Sequence, residues 1–287
     1  MSEFRMLVRR RTTRRPQSFF HEPMSRQAVR APSDISESVF ITGGTSGIGA
    51  GLARAFYERG AKVVVAGRSA DALARMAVEC PDMETCMLDV RDATSVARCA
   101  AEIGVRHPRL STVISNAGVQ RLLSFADVRE ADGMDLENLD VEVDANLKGV
   151  LYVARAFAPL LQRSVMLGVR PRLVNVSSGL AFIPLVAAPV YSATKAAVHA
   201  FTVALREQLR STGVQVVELI PPVVDTPLHG GLPRTPPRAI SLEEFVRAAM
   251  RGFDARRDEV VVGDAAFLKV GSRVAPTQLL RLVNQPL

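Results

Sequence analysis

Cysteine is scarce in this 287-residue chain: Cys80, Cys86 and Cys99 form neither a pair with metal-binding spacing nor an even disulfide framework. We interpret all three as small buried apolar residues. The sequence also lacks a cluster of His, Asp and Glu of the kind that binds a metal, so we predict no metal site. Because no signal peptide is recognisable either, these features favour a reducing, cytoplasmic compartment.

The chain also lacks a long uninterrupted apolar segment. Its longest uncharged stretch, 173–194, contains Pro184, Pro189 and several polar residues, which argues against a membrane span. No long internal repeat is visible. These absences leave a globular protein as the natural interpretation.

The net charge of +7 is unevenly distributed. Residues 1–37 hold eight arginines and four acidic residues, a balance of +4, so the remaining 250 residues carry only +3. This first segment is polar and has no apolar period, and we predict that it is disordered. A nucleic-acid or anionic-membrane arm, a transit peptide and a true start at Met24 are alternative explanations. Because the rest of the chain is near neutral, we expect no nucleic-acid or membrane partner for the protein.

Seven strand-like apolar runs alternate with helical patterns over the rest of the chain. This alternation predicts an α/β fold: a doubly wound, parallel, seven-stranded, Rossmann-like sheet in a single domain. Right-handed crossovers would bring the ends of the first, fourth and fifth strands to the edge where such sheets bind ligands. The runs are 38–42, 61–66, 84–88, 111–115, 172–177, 214–220 and 258–262.

The sequence Tyr191-Ser-Ala-Thr-Lys195 places a phenol and an ammonium one turn apart on a helix predicted over 190–209. An ammonium beside a phenol favours phenolate, so we predict that the pKa of Tyr191 is lowered from its reference of about 10. Tyr191 is then a candidate proton donor or acceptor near neutral pH. A Tyr and a Lys four apart are usually a surface pair, so this interpretation depends on the motifs that accompany them.

A glycine-rich segment, TGGTSGIG at 42–49, follows the first apolar run and precedes a helix predicted over 50–59. Gly43, Gly47 and Gly49 suit a tight turn, close backbone approach to a pyrophosphate and close packing of helix on sheet. The phosphates would then lie at the helix N-terminus. Glycines also make plain turns, but the strand before and the helix after favour nucleotide binding.

Four further motifs follow in order: NAG at 116–118, Asn146 in DANLKG, Ser178 in NVSSG, and PPVVDT at 221–226. Together with the two motifs above, they resemble the short-chain dehydrogenase/reductase family in its single-domain branch. The resemblance covers residues 38–262. The local wording is most similar to oxidoreductases named after the bacterial D-alanylation operon, a label that implies no established substrate.

The resemblance implies catalytic roles for Asn146, Ser178, Tyr191 and Lys195. Tyr191 would exchange a proton with the substrate oxygen, and Ser178 would hydrogen-bond that oxygen and stabilise its developing charge. Lys195 would also hold the nicotinamide ribose. Asn146 would hold a water that connects Lys195 to solvent; on spacing alone it could instead cap a neighbouring backbone group.

The resemblance also implies a cofactor site. Asp89 and Val90 would contact adenine, Asn116 would adjoin its ribose, and Thr226 would bind the carboxamide or a phosphate. Pro222 stands where many relatives have glycine and removes a backbone N–H, so contacts beside the nicotinamide are expected to differ. The expected cofactor-binding residues are Gly43, Thr45, Ser46, Gly47, Ile48, Gly49, Arg68, Asp89, Val90, Asn116, Ala117, Gly118, Tyr191, Lys195, Val224 and Thr226.

Gly67 and Arg68, at the end of the second strand, bear on the choice of cofactor. NAD-preferring enzymes of this architecture place an acid there to bind the adenosine ribose hydroxyls. Arginine instead pairs with a 2′-phosphate, so NADP(H) is favoured and NAD(H) remains possible. The alternatives are an arginine in solvent or stacked on adenine, and Asp71 could offset its charge by pairing with it.

The predicted function is therefore NADP(H)-dependent hydride transfer between a nicotinamide cofactor and a carbonyl/alcohol substrate. The alternative is a protein that senses nicotinamide cofactors without turnover. A substrate lid is predicted near 226–256. An apolar pocket wall favours a hydrophobic substrate and is expected to contain Leu180, Phe182, Pro184, Val223, Val224 and Leu228.

Two helices bear on assembly, the apolar one near 146–161 and the one that begins at Tyr191. Relatives commonly form dimers or tetramers through these helices, so the resemblance implies a homodimer or homotetramer. Coverage of both faces within the monomer is the alternative. His199, four residues after Lys195, is interpreted as a packed or oligomer-facing histidine.

Overall fold

The computed structural model describes residues 37–126, 137–229 and 238–285, which belong to one compact unit. The Arg-rich extension lies outside the described residues apart from Glu37, so its predicted disorder stays a prediction. The predicted lid lies partly on 230–237, also outside the described residues.

The sheet has seven strands in the order β3-β2-β1-β4-β5-β6-β7, and every adjacent pair is parallel. The predicted α/β class and the parallel, seven-stranded sheet are confirmed, and each strand lies within two residues of its predicted bounds. The strands are β1 Ser38–Thr42, β2 Lys62–Gly67, β3 Glu84–Met87, β4 Thr112–Ser115, β5 Arg172–Val176, β6 Gln215–Ile220 and β7 Glu259–Val261.

Helices cover both faces of this sheet. They are α1 Gly47–Glu58, α2 Ala70–Glu79, α3 Ala93–Arg106, α4 Glu137–Val143, α5 Gly149–Met166, α6 Pro189–Leu209, α7 Leu242–Asp254, α8 Ala265–Val274 and α9 Pro276–Val283. A π-helical turn, Asp144–Lys148, joins α4 to α5, and short 3₁₀ turns lie at Gly179–Ala181, Arg210–Thr212 and Pro227–His229. Within the described part of the chain, none of the helices combines the length and the apolar character needed to cross a bilayer.

Alternate side chains of the central strands enter two separate cores, as the two-residue period of a strand requires. Val39 and Ile41 of β1 pack with α1 and α7, whereas Phe40 packs on the opposite face. The Phe40 ring stacks on Phe157 of α5 with centroids 4.5 Å apart. Burial on both faces explains why these strands are continuous apolar runs in the sequence.

Helix α7 is fixed in the first of these cores. Phe245 is fully buried, and the Phe253 ring lies 6.2 Å, centroid to centroid, from Phe56 of α1. The part of the predicted lid range that forms α7 therefore belongs to the packed layer. The lid itself stays a prediction.

Candidate active site

The glycine-rich turn after β1 is too tight for a side chain at Gly43 or at Gly49. Gly43 has a φ of +63°, and a Cβ on it would lie 2.8 Å from the Ala117 Cα. A Cβ on Gly49 would lie 2.2 Å from the carbonyl oxygen of Gly43. Helix α1 begins at Gly47, three residues earlier than predicted, and its first helical bond runs from the Ala50 N–H to the Ser46 carbonyl. The N–H groups of the first turn are thus suited to an anion.

Asn116 holds this turn against the end of β4. Its Nδ2 donates to the carbonyls of Thr42 and Gly43, both at 3.1 Å. The Thr42 hydroxyl oxygen in turn accepts from the N–H groups of Asn116 at 3.0 Å and Ala117 at 3.1 Å. These four bonds join the ends of two adjacent strands, so Asn116 braces the turn.

The ends of β2 and β3 meet beside the glycine-rich turn. The Leu88 N–H donates to the Gly67 carbonyl at 2.9 Å, and a Cβ on Gly67 would lie 3.4 Å from the Thr45 hydroxyl. Arg68, directly after the end of β2, is exposed. Among the described residues no ion pair joins Arg68 to Asp71.

Arg91 forms an ion pair with the carboxylate of Asp89, a contact that sequence reasoning missed. The Arg91 Nη2 lies 2.6 Å from Asp89 Oδ2, and the Arg91 N–H donates to Oδ1 at 3.0 Å. This pairing is the main cause that lowers the pKa of Asp89, and Arg68 makes a smaller contribution of the same sign. An arginine two residues after an aspartate at a strand end is a signal that could have indicated the pair.

Ser178, Tyr191 and Lys195 converge at the end of β5. Ser178 caps the 3₁₀ turn Gly179–Ala181, where its hydroxyl oxygen accepts from the Leu180 N–H at 3.1 Å. Tyr191 lies in the first turn of α6, and the Lys195 ammonium lies 5.5 Å from its ring centroid. Lys195 Nζ donates to the Val176 carbonyl at 2.9 Å, which anchors the ammonium to the strand end.

Burial controls the proton affinity of the Tyr191 phenol and the Lys195 amine. It raises the pKa of Tyr191 to about 12, an effect that a hydrogen bond with Ser178 partly offsets and the charge of Glu142 increases. Burial also lowers the pKa of Lys195 to about 8. The predicted lowering of the Tyr191 pKa is therefore wrong for this structure, because removing the phenolate from water outweighs a nearby ammonium. At neutral pH Tyr191 holds its proton.

Asn146 lies in the π-helical turn between α4 and α5, an irregularity that is frequent at functional sites. Its Oδ1 accepts from the Val119 N–H at 2.8 Å, while its Nδ2 donates to the Val119 carbonyl at 2.8 Å and to the Thr194 hydroxyl at 3.3 Å. This geometry matches the alternative that Asn146 caps a neighbouring backbone. Its role in holding a water stays a prediction.

Glu142, one helical turn before Asn146, is a buried acid that sequence reasoning missed. It is 2% exposed, and its Oε1 accepts from the Arg121 N–H at 2.9 Å. Burial raises the pKa of its carboxyl group. Glu142 of α4 and Asn146 of the π-helical turn thus hold the segment after β4 at Arg121 and Val119. A glutamate in a charged helix gives no sequence signal for this contact.

A cavity of about 2070 Å³ runs along the carboxyl ends of the strands. It exceeds the roughly 300–1,000 Å³ of a pocket for one small ligand and so has room for a dinucleotide and a substrate together. The predicted residues that line it are Gly43, Ser46, Gly47, Ile48, Asn116, Ala117, Gly118, Ser178, Tyr191, Lys195, Val224 and Thr226. The predicted residues that do not line it are Thr45, Gly49, Arg68, Asp89, Val90 and Asn146.

The far end of this cavity is largely apolar. Of the expected wall residues, only Phe182 is absent from the lining, because its ring packs edge-on against His199 with centroids 4.8 Å apart. Apolar residues that line this end without having been predicted are Leu123, Phe125, Leu185, Val186, Phe267, Leu268, Leu280, Leu282 and Val283.

Asn284, directly after α9, contacts the backbone of residues 184–186, which line the cavity with it. Asn284 Oδ1 accepts from the Val186 N–H at 2.6 Å, and its Nδ2 donates to the Pro184 carbonyl at 3.1 Å. This contact bridges 98 residues of sequence and was not predicted.

Within the described residues, no group of three or more His, Cys, Asp or Glu is arranged to hold a metal.

Comparison with known proteins gives concordant matches. The family model described as short chain dehydrogenase matches residues 37–236. The chain is 33% identical over 255 residues to the uncharacterized oxidoreductase DltE of Bacillus subtilis (strain 168), covering 87% of this chain and 97% of that protein. It is 34% identical over 195 residues to sulfoacetaldehyde reductase 2 of Chromohalobacter salexigens, covering 67% and 74%.

The fold is also similar to that of a short chain dehydrogenase from Burkholderia cenocepacia J2315, in a crystal structure in complex with NADP. The two chains superpose with a TM-score of 0.73 at 29% sequence identity, covering 88% of this chain and 98% of that one.

Proposed function

This chain belongs to the short-chain dehydrogenase/reductase family, and from that premise we propose that it is an NADP(H)-dependent oxidoreductase of a carbonyl/alcohol couple. The observation that carries the proposal is the convergence of Ser178, Tyr191 and Lys195 on one cavity that also contains the glycine-rich turn. A protein that merely senses nicotinamide cofactors has no need of this convergence, so turnover is favoured.

The residues present fit a nicotinamide dinucleotide. The backbone at Gly43 and Gly49 leaves no space for a Cβ, as expected where a chain turns closely under a pyrophosphate. Thr226 lies beside the turn, since a Cβ on Gly47 would be 3.4 Å from the Thr226 Cβ. The bound cofactor would supply the hydride in reduction and take it in oxidation. The NADP complex of the Burkholderia cenocepacia relative supports this assignment.

The proposed chemistry of the chain is a proton transfer. Tyr191 gives its proton to the substrate oxygen in reduction, and its raised pKa keeps that proton available. The Ser178 hydroxyl donates a hydrogen bond to the same oxygen and stabilises the charge that develops there. An ammonium has three donors. One Lys195 donor is used by the Val176 carbonyl, which leaves two for the ribose and for returning a proton toward Tyr191.

Two arginines at the adenine end favour NADP(H). Arg68 is exposed beside the end of β2, and Arg91 neutralises Asp89, an acid that would otherwise repel a 2′-phosphate. A guanidinium forms charge-assisted hydrogen bonds with phosphate. We therefore propose that Arg68 binds the 2′-phosphate and that NAD(H) is a weaker cofactor.

The apolar far end of the cavity favours a hydrophobic aldehyde, ketone or alcohol. Apolar burial contributes roughly 25 cal/mol per Å², so a substrate with a large apolar group would use this wall. A homodimer or homotetramer formed through α5 and α6, and a cytoplasmic location, also belong to the proposal.

The deciding experiment measures absorbance of the reduced nicotinamide with NADPH and a panel of hydrophobic and polar carbonyl compounds. We expect turnover with the hydrophobic set, and Tyr191→Phe should reduce kcat by about 10²–10⁴-fold. The affinity of Tyr191→Phe for NADPH, measured by fluorescence titration, should stay within a few-fold of wild type. A loss of kcat below tenfold in a rate-limiting chemical step would remove Tyr191 from the mechanism.

A further inference from the structure

A buried acid lies under α6, next to the catalytic residues but outside the mechanism above. Glu218 of β6 is fully buried at 0% exposure. The Ser177 hydroxyl donates to its Oε1 at 2.6 Å, and His199 Nδ1 lies 2.9 Å from its Oε2. Because a carboxylate accepts but does not donate, the His199 Nδ1–H is the donor. A buried carboxylate is stable only when it is hydrogen-bonded, as Glu218 is by Ser177 and His199. The positions of Glu218 and His199 are therefore fixed relative to each other.

The same pair touches both ends of the segment that carries Ser178. Ser177 immediately precedes Ser178 and is held by Glu218. Phe182, just beyond the 3₁₀ turn, packs its ring edge-on against His199 with centroids 4.8 Å apart. The Ser178 hydroxyl therefore lies in a short turn whose two ends are fixed through one hydrogen-bonded unit.

Other contacts limit how this turn can move once it is held. The Gly179 N–H donates to the Pro221 carbonyl at 2.9 Å, and a Cβ on Gly179 would lie 2.8 Å from Leu268 Cδ1. Lys269 lies 5.7 Å from the Phe182 ring centroid and is paired with Glu259, whose carboxylate is within electrostatic reach of His199. The neighbourhood of His199 thus includes charged groups from β6, β7 and α8.

We propose that the Glu218–His199 pair is a positioning device for Ser178, holding its hydroxyl where the substrate oxygen is bound. The inference rests on the proposed role of Ser178. His199 touches the turn and not the reacting atoms, so it acts through Ser178. Removing one hydrogen-bond donor to a developing oxyanion lowers kcat by about 10²–10³-fold. A donor that is kept but displaced from its best position should lower kcat by only part of that factor.

The test is a double-mutant cycle in the full-length protein with NADPH and the best carbonyl substrate of the panel. His199→Ala should lower kcat about tenfold, while the Kd for NADPH stays within threefold. His199→Asn should recover most of the loss, because its amide can donate to Glu218. In a Ser178→Ala background, His199→Ala should cost less than twofold, since the group that it positions is gone.

His107, at the amino end of the sheet, is the control, because it also lies in a network with a serine and a glutamate. His107 Nδ1 lies 3.0 Å from the Ser38 hydroxyl, and its Nε2 lies 3.1 Å from Glu84 Oε1. His107→Ala removes a buried histidine at the opposite end of the strands and should leave kcat within twofold of wild type.

The outcomes separate the two proposals. If Ser178→Ala itself leaves kcat unchanged, the proposed function of Ser178 is wrong. If Ser178→Ala is impaired but the His199→Ala loss is equally large with and without Ser178, the positioning role is wrong and the proposed function stands. If His107→Ala loses as much kcat as His199→Ala, both losses reflect general destabilisation of the fold, and the inference is also overturned.

Discussion

The Lys195 ammonium lies 5.5 Å from the Tyr191 ring centroid, yet the phenol is harder to ionise than a phenol in water. Both side chains are buried, at 4% and 6% exposure, so each charged form loses its hydration. The pair therefore favours the two uncharged groups relative to solution. In the protein alone, Tyr191 is prepared to donate a proton rather than to accept one.

The first prediction concerns pH. Reduction uses the protonated phenol, whose pKa of about 12 keeps it protonated, so the rate should be flat through neutral pH. The reduction rate should fall above about pH 8, where Lys195 loses the proton that replenishes Tyr191. Oxidation needs the phenolate, and its rate should rise with pH by up to about tenfold per unit below the Tyr191 pKa. Initial rates in both directions across this range check the prediction; a flat oxidation profile contradicts it.

Lys195→Met should separate activity from stability. The ammonium is lost, so kcat and the affinity for NADPH should each fall about tenfold or more, as charge-assisted bonds are worth about 1.5–3 kcal/mol. Folded Lys195 has a pKa of about 8, below the ordinary lysine value of 10.5. Between these values the unfolded chain binds the extra proton, so wild-type stability rises with pH across that window.

The same linkage gives the stability of the Lys195→Met variant. Below about pH 8 the buried charge costs wild type about 3 kcal/mol. Thermal unfolding of Lys195→Met at neutral pH should therefore occur at or above the wild-type Tm, while at high pH the difference disappears. A lower Tm at neutral pH would mean that the bond to the Val176 carbonyl outweighs burial of the charge. Normal NADPH binding would remove Lys195 from the ribose site.

Much of this fold follows from patterns in the sequence. The run 62–66 is apolar beyond its first residue because β2 is buried on both faces, and Gly67 and Ser69 mark its end and the cap of the next helix. The same reasoning locates Gly43 and Gly49, whose missing side chains leave room for the backbone. These features are local, so a single segment contains the information.

Apart from the Asp89–Arg91 pair, whose members are two residues apart, the main features that were missed depend on contacts between distant residues. Burial decides the direction of the Tyr191 pKa, and burial depends on the whole fold. Phe182 is apolar and close in sequence to Ser178, which indicates a pocket wall, but His199 on α6 supplies an alternative partner. The Asn284 contact spans 98 residues, and no periodic pattern encodes it.

Asn284→Ala should affect substrate binding rather than chemistry. The side chain holds the N–H of Val186 and the carbonyl of Pro184, so its loss frees a loop that lines the apolar end of the cavity. Two hydrogen bonds at about 0.5–1.5 kcal/mol each predict a rise in KM of about tenfold for hydrophobic carbonyls. The kcat and the Kd for NADPH should stay within twofold.

A neighbouring position provides the control for Asn284. Gln285 also lines the cavity, and Gln285→Ala should leave KM near the wild-type value. Steady-state kinetics on both variants check the expectation. A large change in kcat for Asn284→Ala with an unchanged KM would show that the loop acts on the catalytic residues instead.

The last prediction concerns the cofactor. Arg68 is exposed at the end of β2, where an acid would bind the ribose hydroxyls of NAD, and Asp89 is already paired with Arg91. Charge-assisted bonds of about 1.5–3 kcal/mol to a 2′-phosphate correspond to a preference for NADPH of about tenfold to a hundredfold in kcat/KM. Arg68→Ala should reduce that ratio by about the same factor, mainly because NADPH binds more weakly, while kcat/KM with NADH changes little. Arg91→Ala is the companion variant, because it frees the Asp89 carboxylate and should also disfavour the phosphate. Equal kcat/KM values for both cofactors in wild type, or an unchanged ratio in Arg68→Ala, would mean that Arg68 does not bind the phosphate.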